Sequence, residues 1–135
     1  MAKSVKYKIK ALKVHSDERG WLVEILRKDQ IKREIKQIYV ASIEPGQIRG
    51  NHFHQKRTEW FFIVKGEGKL YLKDLKTKKK KILKISEKLK RVIEIPPKTI
   101  HALKNIGKET LYLVSAQDNL YNPKNPDTFP YLISK

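Results

Sequence analysis

No stretch of this chain keeps an apolar period of 3.6 residues. Short segments rich in Val, Ile, Tyr and Phe recur instead between turn signals, and that rhythm confines the chain to an antiparallel sandwich or barrel. The expected strands cover residues 21–25, 35–43, 59–64, 68–72, 82–85, 91–95, 102–106 and 110–116. Gly66-Glu-Gly68 and Asn105-Ile-Gly-Lys108 read as hairpin turns, Glu44-Pro-Gly46 as a strand end, and residues 86–91 as at most one helical turn. No internal repeat or linker divides the 135 residues, so residues 1–135 are expected to form one domain around a single core. Trp60, Phe61, Phe62 and Tyr71 read as core and sheet-face residues, and Phe129-Pro-Tyr131 as a clasp that pins the end of the chain.

Charge narrows the partners. Lys and Arg number 31 against 14 Asp and Glu, a formal net charge of +17. Such an excess attracts polyanions: nucleic acid, anionic lipid or phosphorylated small molecules. The densest run, Lys76-Thr-Lys-Lys-Lys-Lys81, lies between two strand segments and reads as a solvated hairpin tip. No helix-turn-helix, zinc-finger or aromatic RNA-reading motif accompanies the charge, so a phosphorylated ligand fits it better than nucleic acid does. The chain has no cysteine, which excludes disulfide and thiolate chemistry. Residues 1–8 lack an apolar signal region and no run is long enough to span a bilayer. The expected setting is the cytoplasm, with no membrane partner.

The residues that carry chemistry are concentrated in Gly46-Gln-Ile-Arg-Gly-Asn-His52-Phe-His54-Gln-Lys-Arg-Thr-Glu59, with a further glycine at Gly66. Two histidines two apart on a strand share a face. Residues 55–58 then permit a tight reversal, and Glu59 brings a carboxylate beside the imidazoles as the next strand begins. His101, behind Pro96-Pro97, supplies a third imidazole, with Asn105 four residues on. Three His and one Glu on the inner face of a small β-structure could hold a divalent transition metal (Zn, Fe, Mn or Ni) with positions open to substrate. The competing reading makes His52 and His54 ordinary polar residues at a barrel mouth.

The spacing Gly-x5-His-x-His-x4-Glu-x6-Gly, followed by Pro-x4-His-x3-Asn, resembles the two signature motifs of the cupin superfamily, with Lys98 where the second motif has glycine. That resemblance implies an all-β, single-domain jelly-roll β-barrel. Asp17-Glu-Arg-Gly20-Trp-Leu-Val-Glu24, Arg49-Gly50-Asn51-His52 and Ile95-Pro-Pro-Lys-Thr-Ile-His101 are similar to motifs of the deoxysugar 3,5-epimerases, which act on dTDP-4-keto-6-deoxyglucose. The tail Asn122-Pro-Lys-Asn-Pro-Asp-Thr128 is similar to the cupin domains attached to UDP-amino-sugar 4-ketoreductases, and related small cupins are dTDP-sugar 3,4-ketoisomerases.

These resemblances imply an isomerase of surface-polysaccharide or deoxysugar synthesis. It would epimerise a nucleotide-linked 4-keto-6-deoxy sugar by removing a proton next to the ketone. Carried over by motif, His52 is the base and Tyr121 the acid, while Arg19, Glu24, Gln37 and Arg49 hold the nucleotide diphosphate or its base. A packing role for Tyr121 and a surface salt bridge for Arg19 stay open. Coordination occupies an imidazole lone pair, so His52 cannot readily be both metal ligand and base; the epimerases generally work without a metal. A homodimer is expected through exchange of residues 7–12, carrying Arg19 to the partner's site. The alternatives are a 3,4-ketoisomerase, a metal-dependent cupin dioxygenase and a non-catalytic ligand-binding cupin.

Overall fold

Twelve strands and no helix make up residues 5–135, the part of the chain that the computed structural model describes; the first four residues of the expected domain lie outside the described residues. In chain order the strands are β1 (Lys8–Ala11), β2 (His15–Asp17), β3 (Gly20–Leu22), β4 (Gln37–Ile43), β5 (Ile48–Phe53) and β6 (Glu59–Lys65). Then follow β7 (Glu67–Asp74), β8 (Lys80–Ser86), β9 (Arg91–Ile95), β10 (Thr99–Asn105), β11 (Leu111–Gln117) and β12 (Phe129–Pro130). They build two five-stranded antiparallel sheets, ordered β1-β9-β6-β11-β4 and β12-β5-β10-β7-β8, and a separate β2–β3 ribbon. Among the described residues no helix is long and apolar enough to cross a membrane.

Alternation sets the core. Phe61 and Ile63, Leu70 and Leu72, Ile93 and Ile95, and Leu111 and Leu113 point between the sheets and bury one another. Trp60, Val92 and Ala116 face the other way, out of the first sheet. Ile25, Leu26, Ile31 and Ile35 cover them, and the Trp60 indole N–H donates to Glu94 at 3.0 Å. That cover explains why the strand expected over 21–25 ends at Leu22: Ile25 belongs to the layer laid over the sheet.

Two expected hairpins are not hairpins. β6 pairs with β9 and β11, while β7 pairs with β8 and β10, so Gly66 carries the chain from one sheet to the other. Its φ is +106°, and a Cβ there would stand 2.9 Å from the Leu111 Cα, a space that only glycine fills. The link between β10 and β11 also changes sheets. Asn105 ties it down, donating to the carbonyls of Ile43 and Glu109 at 2.8 Å each and accepting from the Gly107 N–H at 2.9 Å. Residues 55–58 make a third crossing, with the Asp127 carboxylate accepting from the N–H groups of Gln55, Lys56 and Arg57.

The lysine-rich tip does close a hairpin. β7 and β8 pair in unbroken register from Glu67↔Ser86 to Lys73↔Lys80, and Asp74 caps the turn by accepting from the N–H groups of Lys76 and Thr77. The clasp at the end of the chain forms as well. β12 pairs with β5, and the Phe53 and Phe129 rings stack at 5.3 Å. Residues 7–12, expected to join a partner's sheet, pair through β1 with β9 of the same chain.

Candidate active site and metal centre

The site begins with an irregularity in the β5–β10 ladder. His52 lies opposite His101, Gly50 opposite Ala102 and Arg49 opposite Leu103, which leaves Asn51 as an extra residue in the strand. Opposed residues share a face, so this bulge turns both Arg49 and His52 inward although they are three apart. The backbone accommodates it with φ of +109° at Gly50 and +57° at Asn51. A Cβ on Gly50 would stand 2.7 Å from the His101 carbonyl oxygen. Asn51 turns outward and fastens the end of the chain, accepting from the Ile133 and Ser134 N–H groups and donating to the Ser134 carbonyl.

His52, His54, Glu59 and His101 each offer a ligand atom, and these atoms all lie within 4.8 Å of one another. His101 Nδ1 is 3.1 Å from the Thr99 carbonyl oxygen. A carbonyl only accepts, which assigns the proton of the neutral ring to Nδ1 and turns the Nε2 lone pair toward the cluster. That Nε2 is buried, has no hydrogen-bond partner and stands 3.5 Å from Glu59 Oε1. His54 repeats the arrangement: Nδ1 meets the Asp127 carbonyl at 2.7 Å, and Nε2 faces Glu59 Oε1 at 2.5 Å. With its proton on Nδ1, the ring presents a second acceptor to the carboxylate, a contact that only a shared proton or a cation relieves. Inward imidazole nitrogens, one of them orphaned, beside a buried carboxylate form a donor set that fits a divalent transition metal.

The electrostatics match. Burial pushes the Glu59 carboxyl up, but whenever His101 and His54 also carry protons on Nε2 these imidazolium groups more than reverse this and hold it well below the usual carboxylate range; with those protons absent, a metal cation has to take their place. Burial, followed by the neighbouring His101 and His54, pushes His52 down to about 4, so its ring is neutral at neutral pH. His52 is also the least buried of the four.

Glu59 is held from behind by a row of side chains, of which only Gln37 is expected at the site from its sequence, and there in another role. Ser115 Oγ donates to Glu59 Oε2 at 3.1 Å, Gln117 Nε2 to Ser115 Oγ at 2.6 Å, and Gln37 Nε2 to Gln117 Oε1 at 2.9 Å. Ser115 and Gln117 are fully buried, and the row ends at the surface, where the Tyr121 backbone N–H donates to Gln37 Oε1. Gln37 therefore supports Glu59 and does not face the cavity.

The cluster opens into a cavity of about 710 Å3, walled by Tyr39, Arg49, His52, Glu59, Phe61 and His101 among others. Of the expected binding residues only Arg49 lines it, with its Nε donating to the Ser42 carbonyl at 2.8 Å. Tyr121 does not line it; its side chain is exposed at the rim. Arg19 pairs with Asp17 on the exposed ribbon, and Glu24 with Arg27, both away from the cavity of their own chain. Tyr39, which carries no motif, is the tyrosine in the wall. Burial and then the Glu59 charge raise its phenol above the ordinary value. Its signal in the sequence was only its place on an inward-facing position of β4, opposite Ser115.

Comparison with known proteins supplies the family and the fold. The family model described as polysaccharide biosynthesis C-terminal domain matches residues 15–129. The UDP-2-acetamido-2,6-beta-L-arabino-hexul-4-ose reductase of Pseudomonas aeruginosa is 26% identical over 86% of this chain, which spans only 30% of that protein. A probable low-salt glycan biosynthesis epimerase of Haloferax volcanii is 31% identical over 88% of this chain and 81% of its own length. Among solved structures, a dTDP-4-dehydrorhamnose 3,5-epimerase of Bacillus anthracis with TDP and pyrophosphate bound superposes with a TM-score of 0.84 at 20% identity. That match covers 96% of this chain and 80% of the other, and it establishes the fold as the cupin jelly roll.

Proposed function

This chain belongs to the polysaccharide biosynthesis C-terminal domain family, and from that membership we propose that it is an isomerase of nucleotide-linked 4-keto-6-deoxy sugars, inverting C3, C5 or both. The observation that carries the reading is the placement of His52, Glu59, His101 and Arg49 around one cavity large enough for a sugar nucleotide.

A hydrogen next to the ketone of such a sugar is acidified by the carbonyl. His52 is the residue to take it: its ring is neutral, it lines the cavity, and neither ring nitrogen is held by a backbone carbonyl as those of His54 and His101 are. Assigning the base to His52 leaves His54, Glu59 and His101 to hold a divalent metal. When bound there, the metal would supply Lewis-acid stabilisation of the negative charge that develops on the ketone oxygen. The Arg49 guanidinium, planar and forked, suits a diphosphate oxygen at the mouth. Tyr39 takes the place given to Tyr121 as the acid that returns a proton, since it is the tyrosine in the cavity wall. Two chains would pair as a homodimer through the β2–β3 ribbon, which is exposed along its length and carries Trp21 and Leu22 outward beside Arg19.

A 3,4-ketoisomerase is the second reading, favoured by the position of Tyr121 outside the cavity. Keto transfer moves a proton between adjacent carbons, and one base can serve both. Incubation with dTDP- and UDP-linked 4-keto-6-deoxy sugars in D2O, read by NMR, separates the two. Deuterium at C3 or C5 with the carbonyl unmoved is the expected result, and deuterium at C4 with a moved carbonyl shifts the assignment to the ketoisomerase. A result with neither label nor a moved carbonyl, for either substrate, overturns both.

A further inference from the structure

The outer face of the second sheet gathers lysines across three neighbouring strands. On β7 the core takes Leu70 and Leu72, so Lys69, Tyr71 and Lys73 point outward. Pairing sets Lys84 and Lys104 on either side of Lys69, Ile82 beside Tyr71, and Lys80 beside Lys73. Lys84, Lys69 and Lys104 thus form a row across three strands. Like charges directly opposite one another destabilise a sheet, and this face keeps three such contacts, two of them side by side. Five cations away from this face are paired: Lys8 with Glu94, Arg19 with Asp17, Arg27 with Glu24 and Asp29, Arg33 with Asp118, and Lys65 with Glu109. Among the described residues, no ion pair includes Lys69, Lys73, Lys80, Lys84 or Lys104. A single carboxylate, Glu67, lies at the far end of the same face, and the lysine-rich tip extends the face at the other.

The kind of cation identifies the partner. Every basic residue on the face is lysine, a compact, hydrated point charge on a flexible stem, whereas arginine's fork suits fixed phosphate geometry. Lysines fit phosphates that move laterally and need no set register. One apolar side chain, Ile82 at 56% exposed, stands out beside the charges, as groups that sink between lipid headgroups do. A platform for nucleic-acid bases needs several free aromatic rings. Here Tyr71 is half-buried, and the Tyr131 ring is occupied by Lys73 and Lys78 at 4.9 and 5.5 Å. We propose that this face docks the protein onto an anionic phospholipid bilayer as a peripheral contact. The cavity lies between the sheets, so docking uses none of its residues, and the inference stands apart from the catalytic reading.

Co-sedimentation with vesicles tests it, using phosphatidylcholine alone and phosphatidylcholine mixed with phosphatidylglycerol, at low and at high salt. The expected result is binding only to the anionic vesicles, weakened by salt. The triple variant Lys69→Glu, Lys84→Glu, Lys104→Glu should weaken it about tenfold or more. A second triple variant with the same change in net charge, Lys13→Glu, Lys108→Glu, Lys124→Glu, should keep most of it. Thermal melts of both variants confirm that each is folded. Equal loss in the two would reduce the effect to net charge and overturn the proposal. Binding to neutral vesicles as well, or to neither kind, overturns it too, and so does capture by polyuridylate without capture by vesicles.

Discussion

The two ends of the second sheet obey different rules. Along β7–β8 the register runs without a break, side chains alternate cleanly, and the outer face carries lysines. Along β5–β10 the register slips by one residue, and imidazoles are buried, facing the Glu59 carboxylate of β6, where a core would ordinarily be apolar. The backbone records the same division. Among the described residues, the non-glycine positions with positive φ are Asn51, Lys78, Lys98 and Asp127. Lys78 sits in the hairpin tip, but the other three surround one histidine: Asn51 lies three residues before it, the Lys98 N–H donates to the His54 carbonyl at 2.7 Å, and the Asp127 carbonyl meets His54 Nδ1. Strain is gathered where side chains must be held against their own preferences, and it is absent where alternation alone suffices.

The sharpest way to break this contrast is Gly50→Ala. The added carbon would meet the His101 carbonyl at 2.7 Å, in a backbone conformation that alanine disfavours. We expect a loss of about 3 kcal/mol or more, or failure to fold, measured by thermal or urea unfolding. A melting temperature unchanged from the parent would mean that the bulge is not the constraint described. Ser115→Ala sits one level down. It leaves Glu59 Oε2 without its donor and Gln117 without its acceptor, at an expected cost of about 1–2 kcal/mol in stability. Because Ser115 orients the carboxylate proposed as a metal ligand, affinity for added Zn or Fe should also fall about ten- to a hundredfold. Unchanged metal affinity in a folded variant would leave Ser115 a packing residue.

What could be read from the sequence was what local chemistry decides. The strand 91–95 was found to the residue because alternation and its flanks suffice to define it. His52, His54, Glu59 and His101 were found because ladder geometry converts spacing into shared faces, and the structure brings all four together. What failed was what depends on distant chain. Glycine at 66 and 107 announces a turn, but whether the next strand pairs with the last one or joins the opposite sheet is settled by the rest of the jelly roll. Gln37 and Tyr121 carried roles by motif, yet the first is turned into the support of Glu59 and the second onto the rim. Tyr39, Ser115 and Gln117 had nothing to distinguish them from ordinary strand residues. Their importance exists only once β4, β6 and β11 lie side by side.

The smallest expected effect is also the one that compares the two regions directly. Lys98 and Lys78 share nearly the same backbone conformation, φ of +62° and +64°, which glycine adopts without cost. Lys98 stands where the cupin motif that the sequence resembles has glycine, so the structure shows what that glycine would be for. Lys78→Gly and Lys98→Gly should each relieve the strain and stabilise the fold by about 0.5 kcal/mol, offset in part by the greater freedom of glycine in the unfolded chain. The contact that Lys98 makes with His54 runs through its backbone N–H, so Lys98→Gly should leave metal affinity and isomerase turnover as they are. If Lys98→Gly instead lowered turnover while Lys78→Gly did not, the Lys98 ammonium would have to be reaching the substrate. Lysine at a glycine position would then be a choice made for binding at the price of a strained backbone, and the strain around His54 would have two purposes rather than one.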